Sequence, residues 1–171
     1  NKLSDPSTLS AQIDRMLADK RIRVFSHQFC KQWLGLGQHH GVAISRNYYP
    51  AFQNTLKKDM EEETQLFFDE VFFNDLSCLT FLDSDFTFLN EKLAEHYSIS
   101  GVTGSEMRKV KLSPGNRRGG LLTQASFLMA GSTGEDSHPI RRGVWILSRL
   151  LADPPPDPPA DVELDKDIKD F

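Results

Sequence analysis

A chain of 171 residues is long enough to bury a real core, as one domain or as two small helical lobes, without covalent staples. Its 20 Lys and Arg are scattered among 24 Asp and Glu for a net charge of −4, which lacks the basic footprint of a nucleic-acid binder and excludes nucleic acid as an expected partner. No apolar run approaches the about 20 residues needed to cross a bilayer, so no transmembrane segment is expected, and any signal peptide would lie upstream of Asn1.

In chain order, Ser7 is the expected cap of a first helix running to Leu17, with Leu9, Ile13, Met16 and Leu17 on one face. A second helix is predicted from about Lys20 to Leu36, striped by Ile22, Phe25, Phe29, Trp33 and Leu36 and stopped by Gly35 and Gly37. The punctuators Gly41, Asn47 and Pro50 make residues 38–50 a loop. The strongest helical pattern spans Ala51 to about Asn74, and past Leu66 its apolar side widens to take in Phe68, Phe72 and Phe73, as a central, multiply covered element requires.

A short helical turn is expected around Leu76 to Leu82, and Asp85 or Thr87 is expected to cap a helix ending near His96-Tyr97. Met107 to Leu112 alternates weakly and reads as extended chain, with an isolated strand as the alternative. Gly119-Gly120 precede a helix to about Ala130, and Pro139 opens a last helix at a position where a missing N–H costs nothing. Five prolines from Pro154 to Pro159 then stop that helix and lead the chain away as a polyproline II spacer, with a further segment expected beyond it. The fold class is therefore all-α: an irregular bundle of about six helices with a proline-rich extended arm. The 12 phenylalanines argue that its two halves share a core, because the rings of the long helix need more cover than the first two helices provide.

No residue set carries catalysis. Asp136-Ser137-His138 are sequence neighbours and cannot meet in triad geometry, so they read as a turn before Pro139. His39-His40 look like a ligand pair, but adjacent side chains diverge and no third ligand stands at metal spacing nearby. His96 reads as a surface or capping residue at a helix end, and His27 as a packed or half-exposed side chain. Within Glu61-Glu62-Glu63, Glu63 lies on the apolar side and is the one to bury against an arginine such as Arg118 or Arg142. Arg117-Arg118-Gly119-Gly120 could cradle an anion such as a carboxylate or a haem propionate, but lack the Gly-Lys-Ser/Thr ending of a phosphate loop. Arg141, Arg142 and Arg149, with Trp145, repeat that character on the last helix, where ordinary surface pairs and a core Trp are the plainer reading. Cys30 and Cys78 each sit in an apolar stretch and read as buried free thiols, with a mutual disulfide as the alternative, and without Cys-x-x-Cys neither can attach a c-type haem.

The stretches FCKQWLGL (29–36), EEETQLFFDE (61–70) and DFTFLNEKLAEHYSI (85–99), followed by RRGGLLTQASFLMAGS, HPIRRGVWILSRLL and the proline arm, resemble the paired domains of unknown function of large planctomycete-type, cytochrome c-associated proteins. The resemblance implies a helical domain over residues 1–104 and, over 105–171, the N-terminal part of a cytochrome c-associated domain that ends before a Cys-x-x-Cys-His haem site. It implies a periplasmic or exported protein, with haem c held by another part of the polypeptide and none within this stretch. Its partners would be other domains of the same polypeptide and a redox partner. Arg118, Gln124, Arg142 and Trp145 are the candidates to line the haem-side interface, with Met129 and His138 as residues that could approach the haem. The function implied is that of an accessory scaffold packing against a haem module for electron transfer. The alternatives are part of a peroxidase-like haem oxidoreductase site, or a structural, partner-binding module in which the acidic stretch Asp161 to Asp170 and the proline arm dock.

Overall fold

A computed structural model of the chain describes residues 2–156; Pro158, Pro159 and the acidic stretch from Asp161 lie outside the described residues. Among the described residues, six α-helices are joined by short 3-10 turns and one two-stranded sheet. The first helix, α1 (Pro6–Leu17), is capped by Asp5 and not by Ser7: the Asp5 carboxylate accepts from the Thr8 N–H at 2.9 Å, and Pro6 takes the first helical position. Proline presets φ there and has no N–H to satisfy, which moves the start upstream. No residue of α1 is buried, and its apolar stripe faces out, with Leu9, Ile13, Met16 and Leu17 exposed.

Helix α2 (Ile22–Leu34) ends on Gly35 in the left-handed region, φ 67°. The line it buries is Ser26, Cys30 and Leu34, while Phe25 and Phe29 of the expected stripe remain exposed. The helix is thus turned by about one residue, roughly 100°, from the hydrophobic reading. Ser26 is the cause, since its hydroxyl hydrogen-bonds the Asp69 carboxylate on the facing helix and so sits inside the interface.

Helix α3 (Leu56–Phe73) is the central rod, packed against α2, β1 (Phe86–Leu89), α4 (Glu91–His96) and α5 (Ala125–Ala130). It begins after a run of turns over 51–55, later than its pattern suggests. Its buried face includes Met60, Phe67, Phe68 and Val71 but also Lys57, Glu63 and Thr64. Phe68 stacks on Phe72 at 5.9 Å and Phe81 at 5.7 Å between ring centroids. Phe67 is fully buried, which stabilises the fold by about 1.5–3 kcal/mol.

The expected helix from Asp85 is instead strand β1, paired antiparallel with β2 (Arg108–Lys111), Phe86 opposite Lys111 and Leu89 opposite Arg108. The molecule is therefore mostly helical and not purely all-α. Aromatic and β-branched residues in Phe86-Thr87-Phe88-Leu89 suit a covered strand, and Ser84 holds its start by accepting from the Phe86 N–H at 3.2 Å. Only past Asn90, whose side chain accepts from the Leu93 N–H at 2.9 Å, does the chain wind into α4. The short helical turn expected nearby is the 3-10 turn Cys78–Phe81.

Helices α5 and α6 (Pro139–Arg149) complete the bundle, with Pro139 in its expected opening place and the His138 ring accepting from the Arg141 N–H at 3.4 Å. Two apolar clusters lie along α3. One holds Cys30, Leu34, Phe67 and Phe86 with Leu121, and Trp33 and Trp145 against it; the other holds Met60, Leu89 and Leu93 with Ala125, and Met129 against it. Both draw on residues before and after position 105, so the two halves share a core. Cys30 and Cys78 are free thiols, but only the first is buried as expected; Cys78, at the start of the 3-10 turn Cys78–Phe81, is exposed.

Candidate functional site

Glu63 projects from the buried side of α3 and is 1 % exposed. The Thr87 hydroxyl on β1 donates to its Oε1 at 2.6 Å, and the Tyr97 hydroxyl donates to its Oε2 at 2.5 Å. Tyr97 in turn accepts from the Ala125 N–H at 2.8 Å, tying α3, β1, the end of α4 and the start of α5 to one carboxyl group. Burial pushes the Glu63 carboxyl up to about 7, against the pull of the two hydroxyls and of Arg118. The Tyr97 phenol is raised well above its ordinary value, by burial first and by Glu63 second. The expectation that Glu63 would be the buried member of its triplet holds, but hydroxyls and not an arginine make its hydrogen bonds.

Arg118 lies over the Tyr97 ring, its guanidinium carbon 3.6 Å from the centroid, and donates to the Thr123 carbonyl at 2.9 Å. The Gly119 N–H donates to the Thr123 hydroxyl at 2.9 Å. That N–H is thus spent inside the loop, and the turn that follows, Leu121–Thr123, is a three-residue 3-10 turn, so the Gly119 N–H offers nothing to an anion and only the arginine side chains of the segment could. The glycines serve close packing: a Cβ on Gly119 would stand 2.5 Å from the Ser84 carbonyl oxygen, and one on Gly120 2.6 Å from those of Phe81 and Leu82.

The four residues predicted for the site spread over three adjoining cavities. Gln124, 3 % exposed and with neither end of its amide side chain bonded among the described residues, shares with Arg118 and Glu63 a space of about 10 Å³, the room of a single water. Arg118 and Arg142 both line a cavity of about 250 Å³ with His96, Tyr97 and Met129. Arg142 and Trp145 line a further one of about 180 Å³ beside His39 and Phe127.

Arg142 fits because Gly131 has no side chain; a Cβ there would meet the Arg142 Cγ at 2.8 Å. Its buried Nε has no partner among the described residues. Trp145 is a structural pin: its indole N–H donates to the Leu34 carbonyl at 3.2 Å and its ring meets Phe127 edge-on at 4.6 Å. His138 spends one ring nitrogen on the cap of α6, and Met129 is on the wall shared by the two arginines. Sequence reasoning missed His96 and Tyr97 as wall residues; burial, and secondly Arg118, lower the His96 pKa, so its imidazole is held neutral there.

Chemically the arrangement can store a proton on Glu63 near neutral pH, in a space too small for an organic substrate, and it sets Arg118 and Arg142 in the lining of the larger cavity together with Glu135 and Asp136. Among the described residues no helix is long and apolar enough to cross a membrane.

Residues 1–99 match the family model PSD4, protein of unknown function (DUF1592), and residues 118–170 match PSCyt3, protein of unknown function (DUF1588). No curated protein and no solved structure matches the chain.

Proposed function

Since this chain belongs to the PSD4 family, one of the planctomycete cytochrome c-associated families, we propose that it is an accessory scaffold of an exported, multidomain, c-type cytochrome-like redox protein, packing against a haem module for electron transfer. The observation that carries this reading is that Arg118 and Arg142, 24 residues apart in sequence, both line one cavity. The chain cannot itself attach haem c, because Cys30 and Cys78 stand in no Cys-x-x-Cys-His run and Cys30 is buried. Nor does the cavity enclose a haem: about 250 Å³ falls below the roughly 300–1,000 Å³ of pockets that surround a drug-sized ligand.

What the two guanidinium groups do fit is the propionate edge of a haem held by another segment, since planar forks match carboxylates. When bound, the haem supplies one-electron chemistry; this chain's residues would hold its propionates and shield that edge from water. In the haem-bearing polypeptide, Arg118→Ala and Arg142→Ala should each lower the reduction potential, because a nearby positive charge favours the reduced, less positive iron. Unchanged potentials in both variants would refute the interface.

A second reading, a partner-binding module with no redox role, is favoured by one observation: the exposed apolar stripe of α1 together with Phe25 and Phe29 of α2. It predicts a potential indifferent to both arginine substitutions.

A further inference from the structure

Away from the arginine cavity, the fold brings two neighbouring imidazoles to a carboxylate from a different element. The 3-10 turn Gln38–Gly41 lays His39 and His40 against the first turns of α3, their ring centroids 4.2 Å apart. Glu61, on α3, completes the group: one ligand atom from each of His39, His40 and Glu61 lies within 4.8 Å of the other two. The turn thus overcomes the divergence expected of adjacent side chains, and the third ligand comes from more than twenty positions along the chain, 61 − 40 = 21.

His39 is the informative member. It is 0 % exposed, and its Nε2 lies 3.0 Å from the Lys57 carbonyl oxygen. A carbonyl can only accept, so Nε2 carries the proton and Nδ1 keeps a bare lone pair. That Nδ1 is buried and has no donor among the described residues. A ring pinned through one N–H to a backbone carbonyl, with the other nitrogen unspent, is the form in which histidine ligates metals.

His40 Nε2 donates to Glu61 Oε2 at 2.6 Å, so imidazole and carboxylate already converge; an ion held by both would take the place of that proton, with the neutral His40 ring carrying its hydrogen on Nδ1 instead. Of the neighbouring cations, Lys57 is turned away onto the His40 and Val42 carbonyls, at 3.2 and 2.6 Å. Lys31 sits 3.8 Å from Glu61 and, with its side chain 47 % exposed, can swing into solvent.

We propose that His39, His40 and Glu61 form a site for one divalent transition-metal ion of the Zn²⁺ class, with a remaining position open to water. Two imidazoles favour such an ion over Ca²⁺ or Mg²⁺, which take oxygen ligands. Bonds of about 2.0–2.1 Å put tetrahedral ligand atoms roughly 3.4 Å apart, so the group must tighten. The movement falls to His40 and Glu61, whose side chains are 44 % and 21 % exposed, while His39 stays fixed. Neither Arg118 nor the redox reading enters into this site.

The test is titration of the metal-stripped chain with Co²⁺, read by its visible absorption, and with Zn²⁺, read by calorimetry. One ion per chain is expected, with Zn²⁺ displacing Co²⁺. His40→Ala and Glu61→Gln should each weaken binding by about tenfold or more. His27→Ala, at an exposed histidine on α2, should leave it unchanged. These positions are chosen because His39 is buried and its replacement risks the fold; circular dichroism checks that the two variants fold. The proposal is overturned if the chain binds no stoichiometric Zn²⁺ or Co²⁺, or if either variant retains affinity within about twofold.

Discussion

Replacing Glu63 by Gln is the sharpest probe of the core, because this carboxyl group is buried, bonded to two elements and raised from its usual 4.5 to about 7. An acid whose pKa is higher folded than unfolded binds its proton more tightly in the native state. Its contribution to stability is complete below about pH 4.5, is lost as pH rises, and is gone above about pH 7. At about 1.4 kcal/mol per tenfold, that interval is worth about 3 kcal/mol, on the order of 9 °C in melting temperature for a domain of this size. The Glu63→Gln variant has no such proton to bind. The amide it carries also confronts one of the Thr87 and Tyr97 hydroxyls with a donor, a pH-independent cost of roughly 1 kcal/mol.

The variant should therefore be the less stable protein near about pH 4 and the more stable one near about pH 8.5. Urea unfolding of both proteins across that range measures it, and taking the difference cancels the groups they share. These include His39 and His96, whose lowered pKa values act oppositely, giving stability above the ordinary histidine value that is lost as pH falls through the folded ones. If the two stability profiles run parallel from acid to base, Glu63 is ionised throughout and the reasoning fails.

Gly120→Ala places a Cβ at φ 76° and 2.6 Å from two carbonyl oxygens, and should cost about 3 kcal/mol or more; Gly101→Ala, at φ 86° with open space around it, should cost about 1–2 kcal/mol. Denaturant unfolding of the pair would contradict the close-packing account if the two losses were equal. A thiol reagent should label Cys78 alone in the native protein and Cys30 only after unfolding, since burial pushes the Cys30 thiol up and hides it; two fast-reacting thiols would count against the α2–α3 interface. Trp145→Phe strands the Leu34 carbonyl and should cost about 1–3 kcal/mol in the same denaturation assay, and a neutral result would remove the pin between α6 and α2.

Much of the architecture is written locally. The width of the apolar face on α3 announces a central rod, Pro139 marks the start of α6, Gly35 ends α2, and the position of Glu63 among Met60 and Phe67 identifies it as the inward carboxylate. These signals are legible because helix period, φ limits and hydrophobic spacing act within a few residues. Phe86–Leu89 reads wrongly as helix for the complementary reason. Four residues are too short for their own period to speak, and the strand exists because Arg108–Lys111 lies beside it.

The rotation of α2 follows the same rule, since Ser26 is polar in isolation and interior only once Asp69 faces it. The site residues divide likewise. The chain's order of residues can nominate Arg118, Gln124, Arg142 and Trp145, but only packing reveals that Trp145 is a pin, that Gln124 belongs with Glu63, and that Arg118 and Arg142 share a wall. It likewise takes the fold to bring Glu61 to His39 and His40. Local sequence determines which way a segment winds; partners distant along the chain determine what a buried polar group meets, because that depends on surfaces the segment does not itself contain.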